Sequence, residues 1–234
     1  MRHLRQEIVL AVGCLCVVSV AALTAQSVEV ERIRHATTVL DEIMAAPDQA
    51  IPASVLEKAE AIAVFPSTIK GGFVLSAHRG KGVISARDRE SNTWSPPAFL
   101  TVTGGGFGAQ VGAQAVDLVL VVMDRRGLEN LLQNQFKIGA GGEVTAGPVG
   151  RSAEASTDIQ MRAQILSYSR SRGLFAGVSL NGAAIRQDRD ANEDYYGLPF
   201  RSRAILLDKK VTPAGKAEEV DAWWSSLAKY VAKK

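Results

Sequence analysis

Between Ile62 and Met123 the chain passes through a series of short β-type stretches with almost no sequence between them. "AIAVFP", "GGFVLSAH", "GVISARD", "AFLTVT" and "DLVLVVM" succeed one another across turns marked by Gly, Pro and Asn. A parallel neighbour needs a crossover of a dozen or more residues, and these gaps are too short for one. The strands must therefore pair mostly antiparallel, which excludes a doubly wound nucleotide-binding sheet for this part of the chain.

The glycines inside that region sharpen the reading. Gly104, Gly106 and Ala109 satisfy the loose spacing of a dinucleotide loop, but a helix should follow and none is encoded. Instead Phe107, Ala109, Val111, Ala113 and Ala115 alternate with Gly108, Gln110, Gly112 and Gln114, which is the period of a strand. Glycine in such a strand lets the sheet bend, or lets another element press on its backbone, so Gly108 and Gly112 are expected to be structural. Gly80-Lys81 is followed by Gly82 where a phosphate loop needs Ser or Thr.

Helical periodicity flanks the sheet. In residues 28–46, Val30, Ile33, Thr37, Leu40, Ile43 and Met44 recur at steps of three and four, which predicts an amphipathic helix. Shorter helices are predicted for "IPASVLEKAEA" and "DRRGLENLLQ", and strands for "GGEVTAG", "AQILSYSRSRG" and "GLFAGVSLNGAAIR". The last residues, 212–234, form another amphipathic helix with Val220, Trp223, Trp224, Leu227 and Val231 on its apolar face. The fold class that results is α+β: a Gly-rich, mostly antiparallel, curled or barrel-like sheet covered by a few helices.

The first residues read differently. "MRHLR" is basic, Ile8 to Val20 is apolar over the length of a signal-peptide core, and small residues follow up to Ala25. Residues 1–25 are therefore expected to be an export signal, with a mature start between Leu23 and Gln26. A lipoprotein signal ending at Cys14 and an uncleaved anchor are the competing readings. Both cysteines, Cys14 and Cys16, lie in this segment, so the mature chain would hold neither a disulfide nor a thiol nucleophile. Without residues 1–25 the count of Lys and Arg falls from 27 to 25 and that of Asp and Glu from 24 to 23. A net charge of about +2 argues for no nucleic-acid partner.

Catalytic patterns fail one by one. "GVSLN" ends in Asn181 where a nucleophile elbow has glycine, and no histidine follows Ser179. His35 and His78 stand alone, so no zinc site is expected, and no cofactor is implied. Asp188, Asp190 and Asn192 match the first three ligand positions of a calcium loop, but Glu193 occupies its glycine position and Pro199 its last. The preferred reading of that stretch is an acidic turn capping a short helix.

Four long segments carry more information than any short motif: "IPASVLEKAEAIAVFPSTIKGGFVLSAHRGKGV", "WSPPAFLTVTGGGFGAQVGAQAVDLVLVVMDRRGLENLL", "AGPVGRSAEAST" and "ILSYSRSRGLFAGVSLNGA". Together, over roughly Val30 to Gly197, they resemble the SYLF domain, a lipid-binding domain related to a yeast actin-associated protein. The resemblance places that domain at residues 28–208. It implies a non-enzymatic module. Eukaryotic relatives bind phosphoinositides and other anionic lipids, partly through an amphipathic first helix, and some bind actin; exported bacterial relatives bind lipids at the cell envelope.

On that footing the chain is expected to be a periplasmic protein whose partner is anionic phospholipid or a membrane surface. Phosphate needs clustered cations and acyl chains need adjacent apolar surface. The residues that offer both are Arg79, Lys81, Arg170 and Arg172, with Ile33, Leu40 and Ile43 of the first helix, and Trp223 and Trp224 as the next place to look. The alternative is a structural or protein-interaction module of the envelope without a specific lipid ligand, and an enzyme ranks third.

Overall fold

A computed structural model describes residues 28–46, 50–71, 75–107, 113–138, 144–149, 163–171, 174–177, 182–208, 210–212 and 217–231. Its helices are α1 (28–44), α2 (Ala53–Leu56), α3 (Arg125–Leu131), α4 (Arg189–Tyr196), α5 (Ser202–Leu206) and α6 (Ala217–Tyr230). Its strands are β1 (Ala61–Gly71), β2 (Leu75–Asp88), β3 (Thr93–Trp94), β4 (Ala98–Phe107), β5 (Ala113–Val122), β6 (Phe136–Lys137), β7 (Val144–Ala146), β8 (Ile165–Ser171), β9 (Leu174–Gly177) and β10 (Ala183–Gln187).

The strands form one strongly curled half-barrel sheet in the order β6-β10-β4-β2-β1-β5-β8-β7, with β3 on β2 and β9 on β8. Among the described pairs only β7 with β8 is parallel, so the short connections act as expected. The class is α+β. Helix α2 is only four residues long, shorter than its sequence pattern, and α5 and the two-residue β6 had no sequence signal strong enough to single them out.

Both faces of the sheet are covered, and this explains the unbroken apolar run of β5. Leu118, Leu120 and Val122 point into one core with Phe65, Leu100, Ile185, Leu131 of α3 and Ile205 of α5. Val119 and Val121 point into the other, with Ile62, Val64, Ile33 and Leu40 of α1, and Trp223 and Leu227 of α6. A strand buried on both sides loses the polar alternation of a half-exposed one. Helix α6 thus completes the second core and is not an appendage.

Two glycines show why this sheet needs them. A Cβ on Gly82 would lie 2.4 Å from the Phe65 ring and 2.7 Å from the Val64 carbonyl oxygen. One on Gly104 would lie 2.5 Å from Cα of Ala183 on β10. The backbone itself is the contact surface at these points. Gly108 and Gly112 lie outside the described residues. Gly82→Val should lower stability by about 1–3 kcal/mol, the usual cost of overpacking, read as the midpoint of urea unfolding. An unchanged midpoint would mean that Phe65 has room to move, against its complete burial.

Strand β1 carries the main irregularity. From Val64 to Ile69 it spends five residues while β2 spends four, from Val83 to Arg79, and the same single-residue excess appears against β5. This bulge falls at Pro66-Ser67, where proline has no N–H for the ladder. Ser67 has φ 48°, rare for a residue with a side chain, and its N–H donates to Asp117 Oδ1 at 3.0 Å.

Candidate functional site

Helix α1 is amphipathic as its spacing predicts, but its apolar stripe is spent on the core. Ile33, Leu40 and Ile43 are at most 1% exposed and pack against the sheet. This corrects the expectation that they form a lipid-facing surface: spacing of three and four reads identically whether the stripe meets lipid or sheet. The outward side of α1 is polar. Glu31 accepts from Arg34 Nε at 2.9 Å and pairs with His35 Nε2 at 2.7 Å, and the Arg34 hydrogen bond holds Glu31 below the usual carboxylate range.

The start of α1 is locked down by charge. Arg32, buried, reaches Glu29 at 2.9 Å and Asp188 at 3.0 Å, and its guanidinium sits 5.1 Å from the centre of the Phe99 ring. Burial raises the pKa of Glu29 above its ordinary value, although Arg32 pulls the other way.

Beside this anchor lies an open groove of about 600 Å³. Val28, Glu31 and His35 of α1, Pro66 and Ser67 of the β1 bulge, and Lys81 of β2 line it. The bulge lies at this groove and contributes Pro66 and Ser67 to its lining. Val28 is 55% exposed, one of two large apolar side chains so exposed among the described residues. Sequence reasoning missed Val28, His35, Pro66 and Ser67; the available signal was a proline within a strand pattern.

The four expected cations do not gather. Arg79 and Lys81 are exposed on β2, two residues apart and therefore on one face, ~7 Å from each other along the strand. Neither makes a hydrogen bond or ion pair among the described residues. Arg170 stands on β8, separated from β2 by β1 and β5, so its backbone is ~14 Å away across the sheet. Its guanidinium is occupied by Asp117 at 2.9 Å and by Glu42 of α1. Arg170 ties α1 to the sheet. Arg172 lies outside the described residues.

Trp223 is fully buried and donates from Nε1 to Ser85 Oγ at 2.9 Å, while Trp224 donates to the Ser95 carbonyl at 2.8 Å. Trp223 therefore offers no free surface, whereas Trp224 remains partly exposed. Asp188, Asp190 and Asn192 open α4: Asp188 caps it by accepting from Ala191 N–H and also holds Arg32, and Asn192 Oδ1 accepts from Phe99 N–H at 3.0 Å. The stretch is a capped helix ending at Gly197 in the left-handed conformation. Among the described residues no cluster of three or more His, Cys, Asp or Glu could hold a metal ion, and no helix is long and apolar enough to cross a membrane.

A half-barrel sheet covered by helices on both faces, with an exposed cation pair beside a groove, defines a small α+β domain. A family model described as Ysc84, Las17-binding protein actin regulator, matches residues 103–230. The chain is 38% identical over 171 residues to Protein YSC84 of Saccharomyces cerevisiae, covering 71% of this chain and 36% of the yeast protein. LAS seventeen-binding protein 3 of the same species is 38% identical over 162 residues, 68% of this chain and 35% of that protein. SH3 domain-containing YSC84-like protein 1 of Homo sapiens is 34% identical over 175 residues, 74% of this chain and 50% of the human one. The chain belongs to the Ysc84 family, that of the SYLF domain. It spans about a third to a half of the length of these relatives.

Proposed function

We propose that this domain binds anionic phospholipid, without catalysing a reaction, at the cell envelope. The observation that carries the reading is the exposed Arg79–Lys81 pair, neither member of which is tied up in an ion pair among the described residues, bordered by the groove with Val28. Two cations offer phosphate a landing place, and an exposed apolar side chain nearby offers contact below the headgroups.

Lipid flotation with the full chain tests it. Arg79→Ser with Lys81→Ser should weaken binding to vesicles containing phosphatidylglycerol by about fivefold per cation at low salt, from ~1 kcal/mol each. Binding to phosphatidylcholine alone should barely change. Unaltered binding of the double variant to the anionic vesicles would reject this surface. Absence of any vesicle binding would instead favour the protein-interaction module, a role that the printed name LAS seventeen-binding protein 3 gives to a relative.

Export to the periplasm is part of the same proposal, supported by the basic start and the apolar run at Ile8 to Val20. Mass spectrometry of the protein from its host should find an N-terminus between Leu23 and Ser27. Intact Met1, or a lipid on Cys14, would reject cleavage there.

A further inference from the structure

At the β10 edge of the sheet a second groove, of about 580 Å³, opens between the segment after α3 and the start of α5. Arg201, Arg203 and the side-chain amides of Gln133, Asn134, Gln135 and Gln187 line it, with Leu132, and no carboxylate does. Arg189 of α4 joins this edge, its Nη2 donating to Asn134 Oδ1 at 2.8 Å. The base is built from fixed groups. Gln187 donates from Nε2 to the Leu132 carbonyl at 2.8 Å and accepts from Ser202 N–H at 3.0 Å, which joins β10, the exit of α3 and α5 in one corner.

The charge here is uncompensated. Arg32, Arg34, Arg89, Arg125 and Arg170 each pair with a carboxylate. Arg189, Arg201 and Arg203 have no ion pair among the described residues, although all three are exposed at one corner. Guanidinium groups that line a groove without a carboxylate leave their N–H groups open to an oxyanion. Planar N–H forks beside amide donors match the several oxygens of a phosphate group. Three residues before Arg201 stands Leu198, 57% exposed, followed by exposed Pro199. An apolar side chain beside cations suits a lipid surface better than a soluble anion.

We propose that this corner is a second oxyanion site, which takes the phosphate of an anionic lipid headgroup or of a soluble phosphate compound. It shares no residue with the Arg79–Lys81 surface, so the two readings fail separately.

The test compares the full chain with the variant Arg189→Ser, Arg201→Ser, Arg203→Ser, and with Arg201→Ser alone should the triple variant not fold. Pyrophosphate is titrated by calorimetry, and vesicles of phosphatidylcholine with phosphatidylglycerol are used in flotation, both at low salt. The triple variant should weaken one or both by about a hundredfold, and Arg201→Ser alone by about fivefold, from ~1 kcal/mol per cation. Arg125→Ser, which removes an arginine already paired with Glu129, should change neither. Leu198→Ser identifies the source: weaker vesicle binding with pyrophosphate binding intact marks the headgroup. Full binding of both probes by the triple variant, or binding of neither by the unaltered chain, overturns the site. So does a chain that takes poly-glutamate but neither phosphate probe, which would make the corner a protein-docking surface.

Discussion

Trp223→Ala is expected to remove about 3–5 kcal/mol of stability, enough to erase much of the margin of a domain this size. The indole is fully buried where α6 meets the sheet, among Ile62, Val64 and Val83 in the same core, so truncation leaves a cavity that rigid strands cannot close. It also strands the Ser85 hydroxyl, which accepts the indole N–H. Trp223→Phe separates the two losses: it keeps most of the volume, drops the hydrogen bond, and should cost only ~1 kcal/mol more than the repacking itself. Urea unfolding followed by circular dichroism reads both. A loss below ~1 kcal/mol for the alanine variant, or a separate early transition for the last helix, would mean that α6 is an independent unit and not part of the core.

Arg32→Ala should cost a similar amount, about 3–5 kcal/mol at neutral pH, because it leaves Glu29 and Asp188 facing each other in a buried place without their cation. The pH dependence gives this prediction its own signature. Burial already raises the folded-state pKa of Glu29 above 4.5, and Arg32 is the strongest influence holding it down. Removing Arg32 raises it further. A raised carboxylate pKa means that the folded chain takes up the proton first, so stability is lost as pH rises through that value and regained as pH falls towards 4.5. The deficit of Arg32→Ala should therefore shrink as pH falls from 7 towards 4.5. A deficit that stays constant over that range would show that Arg32 acts through packing on Phe99 and not through its charge.

Arg79 and Lys81 were legible in the sequence as candidate residues, but the groove beside them was not. The periodicity of α1 was legible, and so was the class of the fold, because both rest on local repeats of 3.6 and 2. What Ile33 and Leu40 face was not, since a membrane and a buried sheet ask for the same stripe. Arg170 and Arg79 look alike in sequence, each a basic residue in a polar strand end, yet one is held by Glu42, 128 positions away, and the other has no described partner. Pairing between carboxylate and guanidinium is a long-range contact that no local window contains. The groove at Pro66-Ser67 sits where β1 is out of register by one residue with both of its neighbours, a property of three strands at once.

The amino-acid sequence by itself determined that the strands here pair mostly antiparallel, since their links are too short for crossovers, and that α1 and α6 each bury one side. It determined the cap at Asp188 as well, because a side-chain oxygen three residues from the N–H it accepts is a local geometry. Only the tertiary structure decided which cations remain free and which became ties, and that the glycines at 82 and 104 stand where Phe65 and β10 press on the chain. The reason is physical: hydrogen bonds and side-chain periodicity act over a few residues, whereas ion pairing and packing are settled by which distant segments the curled sheet brings within a few ångströms.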